Sequence, residues 1–139
     1  MKRVLFLCTH NSARSQMAEG LLRALGGGQF EVASAGTEQT RVRPEAITAM
    51  QELGIDISAQ TSKTLERFLG DTWDEVITVC DSANESCPIF PGAQHRRHWS
   101  IDDPSGVAGS DEARLSAFRR ARDILRTRIE DELLSPSRA

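Results

Sequence analysis

The chain has 139 residues, of which 39 % are hydrophobic and 27 % are charged. This is an ordinary globular composition, and the length predicts one domain over residues 1–139. The formal net charge of −3 argues against a protein that binds nucleic acid by broad phosphate neutralisation. The longest apolar stretches, Val4 to Leu7 and Val76 to Val79, are too short to span a membrane, and no signal-peptide pattern opens the chain. We therefore expect a cytoplasmic monomer with no nucleic-acid or membrane partner.

The first part of the chain alternates a short apolar run with a helical pattern, twice. Arg3 to Leu7 is largely apolar, which is typical of a strand that is covered on both faces. Apolar residues then recur at helical spacing from Met17 to Leu25, and three glycines end this helix. A second strand is predicted over Phe30 to Ser34, and a second helix begins at Pro44 and ends at Gly54.

The second part of the chain repeats the alternation less regularly. A short amphipathic piece, Thr64 to Leu69, precedes a third buried strand over Glu75 to Val79. The run Arg97 to Trp99 is a weaker fourth strand. Ser110 is a suitable cap for a last helix, whose apolar face extends to Ile129.

Strands that alternate with helices at this spacing predict an α/β fold, with a four-stranded parallel sheet and helices on both faces. Such sheets bind their ligands beyond the carboxyl ends of the strands. Three segments with reactive side chains follow predicted strands: Cys8 to Arg14, Cys80 to Cys87, and Asp102 with Asp103. We expect these segments to converge in space.

The segment from Cys8 to Arg14 is predicted to be a loop that opens a helix. Inward-facing N–H groups of such a loop bind a tetrahedral oxyanion with help from the helix dipole, and Arg14 adds a bidentate clamp. The same positive field favours the thiolate of Cys8, which is a nucleophile, and the Ser15 hydroxyl is placed to donate a further hydrogen bond to that sulfur. The plainer alternative is a buried cysteine beside a solvated arginine. The predicted oxyanion site comprises Thr9, His10, Asn11, Ser12, Ala13, Arg14 and Ser15.

A nucleophile of this kind needs an acid to protonate the departing oxygen. Asp103, held before Pro104 at the same sheet edge, is the favoured candidate, and Asp102 competes with it. Both aspartates are also explained as ordinary turn residues.

At this point the sequence resembles the low-molecular-weight tyrosine phosphatase fold and, within it, the thioredoxin-coupled arsenate reductases. The resemblance spans nearly the whole chain, and the pair Cys80 and Cys87 carries its reductase part. Its other motifs are Val4 to Gly20, Ser34 to Thr37, Gly54 to Ser58 and His98 to Pro104.

The resemblance implies that Cys8 is the nucleophile, Arg14 binds the oxyanion and Asp103 donates the proton. It also implies that Cys80 and Cys87 are redox partners in a disulfide relay that thioredoxin reduces again. On this interpretation the chain converts arsenate to arsenite for arsenic detoxification, without a bound cofactor or metal. The polar segment between the two cysteines is expected to rearrange outward.

Two other functions stay open. A phosphatase would use Cys8, Arg14 and Asp103 and leave the other two cysteines inert, although the chain has no tyrosine and no aromatic residue soon after Pro104 to flank a phenyl ring. A zinc module would use Cys80, Cys87, His95 and His98, but their spacing is not the usual paired-ligand pattern.

Three positions depart from the family pattern. Ala13 stands where relatives often have another cysteine, which the relay does not need, and His10 stands where many have glycine. Lys63 stands where some relatives have an acidic residue that holds potassium. We hypothesise that its ammonium group supplies the missing positive charge.

Overall fold

The computed structural model describes residues 2–81 and 90–134. Its sheet consists of β1 (Lys2–Cys8), β2 (Phe30–Gly36), β3 (Trp73–Thr78) and β4 (Ala93–His98), and its α-helices are α1 (Arg14–Gly26), α2 (Pro44–Gln51) and α3 (Asp111–Ile129). Short 3₁₀ helices cover Gly27–Gln29, Leu65–Phe68 and Pro104–Gly106, and a π-helical turn over Glu130–Leu134 extends α3. Cys87 and the polar segment before it lie outside the described residues.

The four strands are all parallel and lie in the order β2-β1-β3-β4. Leu7 of β1 is in register with Ala35 of β2 and with Thr78 of β3. Their carboxyl ends therefore meet at one edge of the sheet, and the predicted four-stranded parallel α/β fold is confirmed.

The central strand β1 shows why the sheet is covered on both sides. Val4 and Phe6 face the cluster formed with the three α-helices, whereas Leu5 and Leu7 face the cluster formed with the 3₁₀ helix Leu65–Phe68. All four side chains are fully buried. A strand between two layers needs apolar side chains at consecutive positions, which explains the continuous apolar run.

Helix starts follow local signals where these exist. Pro44 opens α2, and the Ser110 hydroxyl caps α3 by accepting a hydrogen bond from the N–H of Ala113 at 3.1 Å. By contrast, α1 begins without any side-chain cap. In the part of the chain that the structure describes, no helix has the length and apolarity to cross a bilayer.

Strand β4 is longer than predicted and begins earlier. The prediction covered Arg97 to Trp99, whereas the strand spans Ala93–His98 and Trp99 lies beyond its end. The strand is at the edge of the sheet and most of its side chains are polar and exposed, so apolar patterning does not mark it. Pairing with β3 from Trp73 onward sets its start instead.

Glu132, in the turn that follows α3, links this turn to Arg97 of β4 and to Trp99. Its Oε1 accepts hydrogen bonds from the indole N–H of Trp99 at 3.1 Å and from Arg97 Nη1 at 3.0 Å, and its Oε2 accepts one from Arg128 at 2.7 Å. Burial raises the pKa of Glu132, but these hydrogen bonds outweigh it, so the pKa lies below its usual value. The carboxylate form therefore stabilises the fold.

Replacement of this carboxylate is expected to lower stability only at pH values at which the carboxyl group of Glu132 is ionised. The folded-state pKa of Glu132 is below the ordinary value of 4.5, so its contribution is complete above that value and is lost as the pH falls through the folded pKa. We expect Glu132→Gln to lower the free energy of unfolding by about 1–2 kcal/mol at neutral pH. Urea titrations across pH check this, and the difference should vanish in acid.

Glu130→Gln is the matched control. Glu130 is half-exposed and lies 3.5 Å from Arg126 on the solvent side, so its loss should change stability by less than about 0.5 kcal/mol. Equal effects of the two variants at neutral pH would contradict the role of Glu132.

Candidate active site

Two cysteines meet at the carboxyl edge of the sheet. Cys8 is the last residue of β1, and the hydrogen bond from the N–H of Val79 to the carbonyl of Leu7, at 2.8 Å, holds the chain before Cys80 against this strand end. Cys8 and Cys80 are buried and belong to the same apolar cluster. Cys8 is a free cysteine, whereas Cys80 is disulfide-bonded. Cys87, the third predicted cysteine, lies outside the described residues.

The loop between Cys8 and Arg14 turns its carbonyl groups outward. Each carbonyl from Thr9 to Ala13 accepts a hydrogen bond from a surrounding group, at 2.9–3.1 Å. The donors, in order, are the N–H of Thr37, the hydroxyl of Thr40, the amide of Gln16, the N–H of Arg43 and the N–H of Met17. In a trans peptide the C=O and the following N–H point in opposite directions, and no described peptide is cis. The N–H groups of residues 10–14 therefore face inward.

This arrangement makes the loop a cradle for an anion. The helix α1 starts at Arg14, and no side chain caps its first N–H groups. Uncapped N–H groups at a helix N-terminus carry a partial positive charge that favours a tetrahedral oxyanion. The predicted oxyanion-binding segment thus has the backbone geometry that the chemistry needs.

Asn11 sets the shape of the loop. It has a φ of 50°, a left-handed conformation that asparagine tolerates better than most residues. Its Nδ2 donates to Ser15 Oγ at 2.8 Å and to Ser34 Oγ at 2.9 Å. Its Oδ1 accepts from the N–H of Lys63 at 2.7 Å and from Gln16 Nε2 at 2.9 Å. The side chain is fully buried, and these four bonds hold the strained backbone in place.

The predicted contact between Ser15 and the sulfur is present, at 2.9 Å between Oγ and Cys8 Sγ. Ser15 Oγ accepts a hydrogen bond from Asn11 Nδ2, which can only donate. The one proton of the Ser15 hydroxyl is therefore free to point at the sulfur. A hydrogen bond donated to sulfur stabilises the thiolate more than the thiol.

Gly36, at the end of β2, lets the loop pack against the sheet. A Cβ at this position would lie 2.7 Å from the carbonyl oxygen of Thr9, 2.8 Å from that of Cys8 and 2.9 Å from the N of Asn11. These are backbone atoms of the loop, so any larger residue would push the loop outward.

Arg14 and Asp103 lie next to each other above the loop. Arg14 is 3 % exposed, and its Nη1 donates to the carbonyl of Ile101 at 2.9 Å. Its Nη2 is 3.7 Å from Asp103 Oδ2. The other oxygen of Asp103 accepts from the N–H and the hydroxyl of Ser105, at 3.0 Å and 2.6 Å. The mouth of the loop is a cavity lined by His10, Ser12, Thr40, Arg41, Arg43, Asp103 and Ser105. Asp102 is exposed and is not one of these lining residues.

A buried charged group lies beneath the loop. Glu19 Oε1 accepts the Ser34 hydroxyl at 2.5 Å and is 3.8 Å from Lys63 Nζ, and Glu19 Oε2 accepts from Arg23 at 2.6 Å. Lys63 Nζ also donates to the carbonyl of Thr61 at 2.6 Å. Burial lowers the pKa of Lys63, while Glu19 acts against this. The ammonium group thus neutralises a carboxylate that is hydrogen-bonded, through Ser34, to Asn11.

The alternative zinc site is not formed by the described residues. His95 and His98 are three residues apart on β4, so their side chains point to opposite faces of the strand. His98 Nδ1 lies 2.6 Å from Thr78 Oγ1 instead. Residues 2–81 and 90–134 contain no group of three histidine, cysteine or acidic side chains that could hold a metal ion.

Some residues of the site escape sequence reasoning. Gly36 and Ser34 appeared there only within a predicted strand or a family motif, and Arg41 and Arg43 not at all, although both arginines line the loop mouth. His10, which was predicted as part of the oxyanion site, lines the same mouth, and its Nε2 lies 2.9 Å from Glu38 Oε2.

Removal of the Ser15 hydroxyl should make Cys8 less reactive. We expect Ser15→Ala to slow alkylation of Cys8 by iodoacetamide at neutral pH about tenfold, because a hydrogen bond to a charged group contributes roughly 1.5–3 kcal/mol. Peptide mass spectrometry of the reduced protein gives the rate at Cys8 alone. Ser58→Ala, at an exposed serine, is the control, and an unchanged rate in Ser15→Ala would reject the thiolate role of this hydrogen bond.

Comparisons with known proteins agree with this geometry. The family model for low molecular weight phosphotyrosine protein phosphatase matches residues 3–135. An arsenate reductase of Halalkalibacterium halodurans is 46 % identical over 93 % of each chain. The structure of an arsenate reductase in its phosphate-binding state superimposes with a TM-score of 0.81 at 41 % identity, over 94 % of this chain and 95 % of the other.

A further solved structure is more distant. The thioredoxin-dependent arsenate reductase of Corynebacterium glutamicum is 30 % identical with a TM-score of 0.61, over 91 % of this chain and 61 % of the other. With its anion cradle, its cysteine and arginine and these relatives, the chain belongs to the low molecular weight phosphotyrosine protein phosphatase family and is similar to the arsenate reductases that share this fold.

Proposed function

We propose that the protein is an arsenate reductase, which converts arsenate to arsenite by a relay of three thiols. The observation that carries the proposal is the free Cys8 sulfur, hydrogen-bonded to Ser15 beneath a loop whose carbonyls all point away from it. A second buried cysteine, Cys80, at the same sheet edge supports reduction over phosphate transfer. Relatives that are arsenate reductases support it further.

In the first step the Cys8 thiolate attacks the arsenic atom of an arsenate held by the loop and Arg14. A sulfur–arsenic bond forms and an arsenic–oxygen bond breaks. Asp103 protonates the departing oxygen, which leaves as water. The 3.7 Å separation of Asp103 and Arg14 supports a site in which the acid and the clamp contact the same anion.

In the second step the Cys80 thiolate attacks the sulfur of Cys8. A sulfur–sulfur bond forms, the sulfur–arsenic bond breaks, and its electron pair stays on arsenic, which is thereby reduced from As(V) to As(III) and leaves as arsenite. Cys87 then attacks Cys80, which releases the Cys8 thiolate and moves the disulfide to Cys80 and Cys87. Phosphate stops at the first step because phosphorus does not accept this electron pair.

The remaining disulfide needs an external dithiol, and we propose thioredoxin for this role. The disulfide-bonded form of Cys80 together with free Cys8 matches the end of the relay. The thioredoxin-dependent relative from Corynebacterium glutamicum supports the choice of donor. Because thiols supply both electrons, the reaction needs no bound cofactor or metal. We further propose that the protein is a cytoplasmic monomer that confers arsenic resistance.

Phosphatase activity is the second candidate, since the family model is that of a phosphatase. Cys8, Arg14 and Asp103 would act as above on a phosphoester, and Cys80 and Cys87 would take no part. The loop does not readily distinguish phosphate from arsenate, so we expect weak residual activity of this kind. Among the described residues that line the loop mouth there is no phenylalanine, tyrosine or tryptophan to offer an aromatic face to a phenyl ring.

The relay is tested by mixing the protein with arsenate, thioredoxin, thioredoxin reductase and NADPH. We expect steady NADPH oxidation with the parent protein and none with Cys8→Ser. Cys87→Ser should complete one turnover and then stop, with Cys8 linked to Cys80. Mass spectrometry of the stalled protein identifies this link. Steady turnover by both Cys80→Ser and Cys87→Ser would reject the relay, and an absence of NADPH oxidation with the parent protein would favour the phosphatase.

Lys63 leads to a separate proposal, that its ammonium group makes the site independent of potassium. Lys63 Nζ lies 3.8 Å from Glu19 Oε1, so this carboxylate needs no bound metal cation to neutralise it. Exchange of sodium for potassium at constant ionic strength should change kcat/KM for arsenate by less than about twofold. Strong activation in a potassium titration of the parent protein would reject this role of Lys63.

A further inference from the structure

The mouth of the anion loop is a cavity of about 320 Å³. The cavity opens directly onto the loop, because Ser12 is part of the loop and also lines the cavity. Asp103 lines the cavity as well. Its other lining residues are His10, Thr40, Arg41, Arg43 and Ser105. A group that is attached to a loop-bound oxyanion would therefore enter a space lined by polar and charged residues, two of which are arginines.

Arg43 is held at this position by the loop itself. Its N–H donates to the carbonyl of Ser12 at 2.9 Å, so its backbone position is tied to the cradle. Its Nε is buried, yet it has no hydrogen-bond partner. The carboxylate that it faces is Glu45, at 3.9 Å, and Glu45 also lies 3.7 Å from Arg114. The side chain as a whole is 39 % exposed, and a guanidinium group offers five N–H donors in a planar fork, so Arg43 can still donate to an anion in the cavity.

Arg41 supplies a second cation at the same cavity. Its side chain is exposed, and no carboxylate within residues 2–81 and 90–134 forms an ion pair with it. The acidic groups nearby have other partners: Asp103 lies beside Arg14 and accepts from Ser105, and Glu38 pairs with His10. The guanidinium group of Arg41 is therefore available to a bound anion, although the whole chain has a net charge of −3.

We propose that Arg41 and Arg43 form a second anion-binding site, which takes an anionic group attached to, or bound next to, the oxyanion in the loop. This deepens the proposed function, because it requires that the loop between Cys8 and Arg14 binds an oxyanion first. Two adjacent anionic groups are then bound better than one, whereas a neutral substituent gains no charge interaction at this site.

Inorganic phosphate and pyrophosphate are the probes for this site. Phosphate fills the loop alone, whereas pyrophosphate carries a second phosphoryl group that reaches the mouth. By calorimetry with the reduced protein, we expect pyrophosphate to bind about tenfold more tightly than phosphate. Arg43→Gln and Arg41→Gln should each reduce this preference severalfold and leave phosphate affinity nearly unchanged. Arg43→Gln keeps the backbone hydrogen bond to Ser12.

Arg126→Gln is the matched control, because it removes the same charge from an exposed position on α3, where Arg126 pairs with Glu130. It should leave the preference for pyrophosphate unchanged. Equal binding of the two anions by the parent protein, or a preference that survives both mouth substitutions, overturns the second site. Failure of phosphate itself to bind overturns the oxyanion loop, and with it both the proposed function and this inference.

Discussion

The site depends on one constraint, which is that the carbonyl groups of the Cys8 to Arg14 loop must all point away from its centre. Hydrogen bonds from the following helix and from more distant segments enforce this, and Gly36 leaves the room for the loop to reach the sheet. With the carbonyls fixed outward, planarity of the peptide turns the N–H groups inward. A concave row of N–H groups at a helix start attracts an anion and equally favours a thiolate.

A second layer of polar side chains keeps this loop rigid. Glu19, Ser34, Asn11 and Ser15 are linked in series by hydrogen bonds that end at the Cys8 sulfur. All are buried, so unmet hydrogen bonds would be costly here and satisfied ones are strong. Lys63 and Arg23 balance the carboxylate at the far end of the series. The position of the nucleophile is therefore tied to the interior of the protein rather than to solvent.

The same loop can hold phosphate or arsenate, so the residues around the loop distinguish a reductase from a phosphatase. A second buried cysteine at the sheet edge supports electron transfer, and the described residues at the mouth include no phenylalanine, tyrosine or tryptophan to pack against a phenyl ring. Asp103 belongs to both features, since it lies beside Arg14 and also lines the mouth. The family fold supplies the anion-binding loop, and the residues around this loop determine which reaction follows anion binding.

Sequence alone determined the features that rest on local order: the buried run of β1, the parallel α/β sheet, the cysteine-to-arginine loop, and the bond between Ser15 and a sulfur seven residues before it. Tertiary structure decided what depends on distant partners. Arg14 meets the Ile101 carbonyl 87 residues away, and Asn11 meets the N–H of Lys63 52 residues away. No periodicity encodes such contacts, because they arise only when separate strands and loops are brought to one edge. For the same reason the start of β4, the need for Gly36 and the arginines at the mouth became visible only in the folded chain.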